Sequence, residues 1–158
     1  MKRGKTSKFN WFVRVAILGV IVWFVWSLIG FHVTESRGPI TASKAESITD
    51  LKLPPEAKNI RAASYSQWME YAQYLRFEAP VDVCLHYAST IVPGAAIQPA
   101  DEFDLKNGAR LLRSGAFDDF SWFDLDKAES VVTAGGGPSR PQVWVDRTRG
   151  VFYYRKTD

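Results

Sequence analysis

The feature that most constrains this chain is a long apolar segment near its N-terminus. Residues 11–31 read WFVRVAILGVIVWFVWSLIGF, and the 17 residues that follow Arg14 carry no charge. At about 1.5 Å of helix rise per residue, this segment extends about 32 Å, against a hydrocarbon core of about 30 Å. Because it is apolar around its whole circumference, a small domain cannot readily bury it. The sequence therefore predicts a transmembrane helix over residues 11–31.

The charges on either side of this segment predict its orientation. Four Lys and Arg residues lie in the basic tail, residues 1–10, and only two follow the segment within about 15 residues. Because positive flanks are retained in the cytoplasm, we expect one pass through the cytoplasmic (inner) membrane with the C-terminal bulk in the periplasm. The apolar run is longer than a signal-peptide core and no small-residue cleavage pattern follows directly, which favours an uncleaved signal anchor.

The net charge of +3 comes from the N-terminal region. Five of the 20 Lys and Arg residues precede His32, so the rest of the chain carries 15 of them against all 17 acidic residues. A folded part without a positive excess gives no support for binding nucleic acid. The single cysteine, Cys84, excludes an intramolecular disulfide framework and a zinc site built mainly of thiolates.

Residues 32–50 are rich in small polar side chains and show little hydrophobic periodicity. They are interpreted as a linker between the membrane and a domain, with a short helical turn near Ala42–Thr49. The domain itself is expected to occupy residues 51–158, a length that supports one hydrophobic core but not a large buried cleft.

Residue patterns in this domain predict an antiparallel sheet. The clearest strand covers residues 71–78, where side chains alternate with a period of two and aromatic residues are enriched. Further strands are expected over Ile60–Tyr65, Ser130–Ala134, Gln142–Asp146 and Val151–Arg155. A turn at Ser64–Gln67 is expected to join the first two strands. Val143 and Val145 are expected to face away from Trp144.

Helical spacing predicts what covers this sheet. Pro80 begins the clearest helix, in which Val81, Cys84 and Ala88 recur on one apolar face. A second, shorter helix is expected over Leu105–Ser114, although an Asn-Gly pair within it is able to interrupt it. The predicted fold class is α+β: one N-terminal transmembrane helix followed by a small antiparallel sheet, packed on one face by one or two helices.

No residue pattern for catalysis, for a metal or for a cofactor stands out. Cys84 and His86 are two positions apart in the predicted helix, so they point about 200° apart and do not pair as nucleophile and base. The acidic residues lack the spacing of a calcium loop, and the sequence contains neither G-x-S-x-G nor H-E-x-x-H. We therefore expect a protein without catalytic residues, metal or cofactor.

The segment FSWFD combines three aromatic rings with a carboxylate. If exposed, Phe120, Trp122, Phe123 and Asp124 form a surface for a protein partner or a sugar-like ligand. The alternative is that these rings belong to the core, because large rings dominate burial in small domains.

Three segments carry a resemblance to a known group of proteins. LPPEAKNI, YLRFEAPVDVC and the C-terminal VWVDRTRGVFYYRKTD resemble small bacterial exported or membrane-anchored proteins of uncharacterised function. The resemblance implies a stand-alone extracytoplasmic domain. It implies no activity and no site residue.

Together these features predict a single-pass membrane protein whose partners are the lipid bilayer and a membrane or envelope protein. The expected role is that of a non-catalytic accessory protein of the bacterial envelope that binds a partner or a ligand. One alternative makes the helix a single-helix subunit of a larger membrane complex. Another is an envelope hydrolase that uses carboxylates. The sequence does not identify the partner, the ligand or the oligomeric state.

Overall fold

The computed structural model describes residues 5–29, 32–36, 38–67, 70–110, 120–136 and 140–157. The helices are α1 (Lys5–Ile29), α2 (Ala42–Thr49), α3 (Val81–Ile91) and α4 (Glu102–Arg110), with a 3₁₀ turn at Leu125–Lys127. The strands are β1 (His32–Glu35), β2 (Lys58–Gln67), β3 (Glu70–Glu78), β4 (Gln98–Pro99), β5 (Val131–Gly135), β6 (Gln142–Asp146) and β7 (Val151–Thr157). All seven strands form one antiparallel sheet in the order β1-β2-β3-β7-β6-β5-β4. The predicted α+β class with an antiparallel sheet is confirmed.

The β2–β3 hairpin is longer than the sequence indicates. Residues 64–67, expected to form a turn, continue β2, and Gln67 pairs with Glu70. The strand continues because its side chains still alternate: Ala63 and Tyr65 are buried, whereas Ser64 and Ser66 are more exposed. Small polar residues are tolerated in a strand where they fall on the less buried face.

The sheet is covered on both faces, whereas the sequence predicted cover on one. The first core cluster lies on the face packed by α2 and α3 and includes Leu75, Phe77 and Phe152. The second lies on the opposite face, where residues 120–125 pack against it. Strand β6 divides its side chains as predicted: Val143 and Val145 belong to the first cluster and Trp144 to the second.

Residues 32–50, interpreted from the sequence as a linker, contain two packed elements. Strand β1 pairs with β2 from His32↔Ser66 to Glu35↔Ala63 and forms one edge of the sheet. Helix α2 begins after Thr41, whose hydroxyl accepts a hydrogen bond from the Lys44 N–H, and buries Ala45 and Ile48. Elements of four and eight residues are too short to show a hydrophobic period. Their stability comes from tertiary contacts, which the local sequence does not reveal.

The second predicted helix starts earlier than expected. Helix α4 begins at Glu102, three residues before the predicted start, and the Asn-Gly pair does not interrupt it. Asp101 provides an N-terminal hydrogen bond, because its carboxylate accepts from the Asp104 N–H at 2.7 Å. Residues 111–114, the end of the predicted helix, lie outside the described residues.

Helix α1 extends over 25 residues at the N-terminus of the described chain. Its described side chains, residues 11–25, are exposed, and Trp23 and Phe12 are among the most exposed large hydrophobic residues. Across the described residues, no helix combines enough length with enough apolar character to cross a bilayer. Residues 1–4 of the basic tail lie outside the described part.

Replacing Gly108 with Ala is expected to destabilise the domain. A Cβ at this position would lie 2.6 Å from Leu125 Cδ2 and 3.1 Å from Trp144 Cζ2, two fully buried side chains. Overpacking of this kind costs about 1–3 kcal/mol, more than the roughly 1 kcal/mol that Ala adds to a helix. We expect a net loss of about 1 kcal/mol in the free energy of unfolding, measured by urea denaturation.

The matched control is Gly38→Ala, because a Cβ at Gly38 meets open space. Its free energy of unfolding is expected to stay within about 0.5 kcal/mol of the wild-type value. Equal stability of the two variants would contradict the tight packing assigned to Gly108.

Candidate functional site

The structure places the three predicted aromatic site residues inside the domain. Phe120, Trp122 and Phe123 are between 4 and 8% exposed. Phe123 lies edge-on to Tyr153, with ring centroids 5.2 Å apart, and contacts Trp144 in the same manner at 6.3 Å. The rings therefore form core rather than an exposed patch, because the second face of the sheet is apolar and needs cover.

Asp124, the fourth residue of the predicted surface, is the centre of an ionic network. Its Oδ1 accepts a hydrogen bond from the Tyr153 hydroxyl at 2.8 Å, and its Oδ2 accepts one from Arg149 Nη1 at 2.9 Å. Arg76 Nε lies 3.4 Å from Oδ1 as an ion pair without an aligned hydrogen bond. Spacing alone does not show this cluster, because Arg76, Asp124 and Arg149 are far apart in the sequence.

Asp146 extends the network into the turn between β6 and β7. Its Oδ1 accepts from the backbone N–H groups of Thr148 and Arg149, at 2.9 and 3.1 Å. Its Oδ2 accepts from Arg149 Nε at 2.6 Å. Arg149 thus links the two carboxylates and holds residues 120–125 against this turn.

The electrostatics of the network favour a charged Asp124. Burial raises the pKa of Asp124, but the hydrogen bonds from Tyr153 and Arg149 and the charges of Arg76 and Arg149 outweigh it, so the pKa is lowered. Burial, followed by the hydrogen bond to Asp124, raises the pKa of the Tyr153 hydroxyl. A carboxylate held in this way is a poor proton donor, so the network is suited to structure rather than acid catalysis.

A cavity of about 280 Å³ adjoins the network and is lined by Arg61, Arg76, Glu78, Trp122 and Asp124, among others. Three of its charged groups are already paired, because Arg76 contacts both Glu78 and Asp124. Arg76 Nη1 donates to Glu78 Oε1 at 3.0 Å, and Asn59 Nδ2 donates to Glu78 Oε2 at 2.6 Å. A ligand that binds Arg76, Glu78 or Asp124 in this cavity would compete with these pairs.

A second cleft lies at the other end of the sheet, beside β5. Its volume is about 590 Å³. One wall is apolar and comes from the end of α3 and the residues after it, including Ile91, Val92 and Ala95. The opposite wall contains Ala134, Gly135 and Arg140, and Arg140 is the one charged residue among its described lining. We call this site the edge cleft.

The sheet register places the end of β5 beyond β4, beside the edge cleft. The Arg147 N–H donates to Ser130 O, and the Ala100 N–H donates to Val131 O. The backbone groups of even-numbered residues in β5 therefore form hydrogen bonds with β6, whereas those of Val131 and Thr133 face β4. Strand β4 pairs only with Val132 and Thr133. Gly135, two residues further on, lies past the last pair between β4 and β5, is exposed and lines the edge cleft.

Gly135 is also required for the shape of the edge cleft. Its φ of +83° is a conformation that other residues rarely adopt. A Cβ on it would lie 2.3 Å from Pro141 O and 2.8 Å from Val92 Cγ1. Gly135 is thus exposed in the cleft and at the same time closely packed against Pro141 and Val92.

Cys84 and His86 do not form a site. Cys84 is fully buried and its Sγ lies 3.6 Å from Ala79 O, whereas His86 is exposed. Burial raises the pKa of the Cys84 thiol to about 11. Among the described side chains, no group of three or more His, Cys, Asp or Glu is placed to hold a metal ion.

Comparison with known proteins adds no identification. No protein-family model, curated protein or solved structure matches the chain.

Asp124→Asn is expected to lower the free energy of unfolding by about 1–3 kcal/mol, because it removes the carboxylate that Arg76 and Arg149 share and leaves them only Glu78 and Asp146. The pKa of Asp124 is lowered in the folded state, so its stabilising effect is present above the ordinary value of 3.8 and is lost as the pH falls below it. Urea denaturation at pH 7 and pH 3 should show the difference from wild type shrinking at pH 3. Glu129→Gln, an exposed carboxylate, is the control and should change stability little at either pH.

Cys84 is expected to make stability fall at high pH. Its pKa is raised from 9.0 to about 11 in the folded state, so the stabilising effect is complete below pH 9 and is lost as the pH rises toward 11. The difference in unfolding free energy between wild type and Cys84→Ala should shrink by about 2 kcal/mol across this range. A constant difference would contradict a buried, protonated thiol. In the native protein at pH 8, thiol reagents should modify Cys84 only after urea is added.

Proposed function

We propose that this chain is a single-pass, membrane-anchored protein whose α+β domain is a non-catalytic binding module of the bacterial envelope. The domain binds an extended segment of a partner protein at the edge cleft. Its N-terminus is cytoplasmic and its C-terminal domain is periplasmic. The observation that carries the binding proposal is the edge cleft at the end of β5, which combines an apolar wall, the exposed Gly135 and Arg140.

The anchor proposal is supported by α1 and the sequence around it. The exposed side chains of residues 11–25 are apolar or glycine apart from Arg14, and such a surface is unfavourable in water. These 15 residues cover about 22 Å of helix. Beyond Val25 the sequence continues as WSLIGF without a charge, and the basic tail precedes the helix. The length of the apolar segment and the excess of positive charge before it together favour a signal anchor whose N-terminus is cytoplasmic.

The edge cleft supports binding of an extended peptide. A sheet edge offers backbone N–H and C=O groups that an incoming strand satisfies, and side-chain pockets beside it provide specificity. Here the segment would lie in the edge cleft, between the residues that follow α3 and the end of β5. The apolar wall at Val92 suits a hydrophobic side chain. Arg140 suits a carboxylate on the same segment, either an acidic side chain or a C-terminus.

The ionic network supports a non-catalytic role. Asp124 and Glu78 are the carboxylates nearest the 280 Å³ cavity, and each accepts hydrogen bonds from Arg or Asn side chains. A carboxylate hydrolase needs one carboxyl group that stays protonated near neutral pH. Because the pKa of Asp124 is lowered, this residue does not suit that role.

Site-specific photocrosslinking in native membranes tests the proposal. A photoreactive residue at Ala96, which lines the edge cleft, is expected to form one discrete adduct with a partner protein. The same residue at the exposed Thr148, near the opposite end of the sheet, is the control and should give none. Arg140→Glu should weaken the Ala96 adduct about tenfold, and Arg147→Glu, an exposed control, should leave it unchanged.

A different pattern would contradict the proposal. Adducts obtained only from a photoreactive residue at Trp23 in α1 would show that the helix makes the contact. That result favours the alternative of a single-helix subunit in a larger membrane complex.

A further inference from the structure

The connection between α1 and the sheet is very short. Helix α1 ends at Ile29 and β1 begins at His32, so two residues separate them. Consecutive Cα atoms are 3.80 Å apart, so the Cα atoms of Ile29 and His32 are at most about 11 Å apart. The first residue of the sheet therefore stays close to the C-terminal end of α1.

The greatest possible distance between the Cα atoms of Ile29 and His32 is comparable with the thickness of a lipid headgroup layer. A bilayer of about 40–45 Å has a hydrocarbon core of about 30 Å, which leaves about 5–8 Å of headgroup region on each side. If α1 spans the membrane, His32 lies in this region or just above it. The domain then has no slack with which to move away from the surface.

The register of β1 identifies which part of the domain is held there. His32 pairs with Ser66, and Ser66 pairs with Tyr71 on the next strand. Neighbouring strands lie about 4.8 Å apart, so Ser66 and Tyr71 are within about 10 Å of His32. Ser66 is exposed and Tyr71 is partly exposed. Tyrosine suits the interface between headgroups and water.

The opposite end of the β2–β3 hairpin lies well away from His32, Ser66 and Tyr71. Strand β3 runs from Glu70 to Glu78, a distance of about 27 Å at 3.4 Å per residue. Glu78 pairs with Val151, which follows the β6–β7 turn. The Asp124 network and this turn therefore lie at the end far from His32.

We infer that the corner of the sheet formed by the start of β1, the end of β2 and the start of β3 rests on the lipid headgroups of the membrane that holds α1. This inference depends on the proposed membrane anchor. The domain is then held against the bilayer rather than on a flexible tether, and the β6–β7 turn points away from the membrane. The surface that this corner contacts is the periplasmic leaflet of that membrane.

Headgroup quenching in nanodiscs tests the inference with the full-length protein. One variant carries Ser66→Cys at the corner, and a second carries Thr148→Cys in the exposed β6–β7 turn as the control. Each is labelled with the same fluorophore and measured with and without lipids that carry a nitroxide on the headgroup. Cys84 is buried and is left unlabelled under native conditions. We expect at least threefold stronger quenching at position 66 than at position 148.

The outcomes separate this inference from the anchor on which it depends. Equal quenching at both positions, in protein that co-elutes with the nanodiscs, would overturn the inference and leave the anchor intact. Protein that does not incorporate into nanodiscs would overturn both. Inserting ten Gly and Ser residues between Phe31 and His32 should lower the ratio of quenching at the two positions toward one, because the longer connection releases the corner.

Discussion

The burial of β7 on both of its faces is the constraint on which the rest of this domain depends. Val151, Phe152, Tyr153 and Tyr154 are all at most 3% exposed, and β7 is the middle strand of seven. A strand with large side chains on both faces needs cover above and below the sheet. Helices α2 and α3 supply it on one side, and residues 120–125 supply it on the other. Neither layer alone completes the core.

The Asp124 network follows from the same constraint. Tyr153 is fully buried, and its hydroxyl needs a hydrogen-bond partner that the apolar cover cannot provide. Asp124 accepts from it and Arg149 donates to it at 2.9 Å. Arg149 is held in turn by Asp146, so the polar end of one buried tyrosine fixes the position of a whole covering segment. The network is the polar rim of the second core cluster.

The order of the strands gives the two edges of the sheet different roles. Strand β1 forms one edge and lies two residues from α1, which places it at the proposed membrane contact. Strand β4, at the other edge, is two residues long and ends before Gly135 of β5. An uncovered edge is normally a risk of unwanted pairing, and proteins usually keep such edges short. Here the edge strand β4 is only two residues long, in keeping with that rule.

The sequence by itself determined the apolar N-terminal segment, the antiparallel α+β class, helix α3 and the division of β6 into two faces. These features come from local periodicity and from charge, which neighbouring residues express without a fold. Only the tertiary structure decided that residues 32–50 contain β1 and α2, that Phe120, Trp122 and Phe123 are core, and that Asp124 meets Arg149 and Tyr153. It also decided that Gly135 faces the edge cleft. The physical reason is that short elements, ion pairs between distant residues and an open sheet edge arise from strand order and register, which no local pattern encodes.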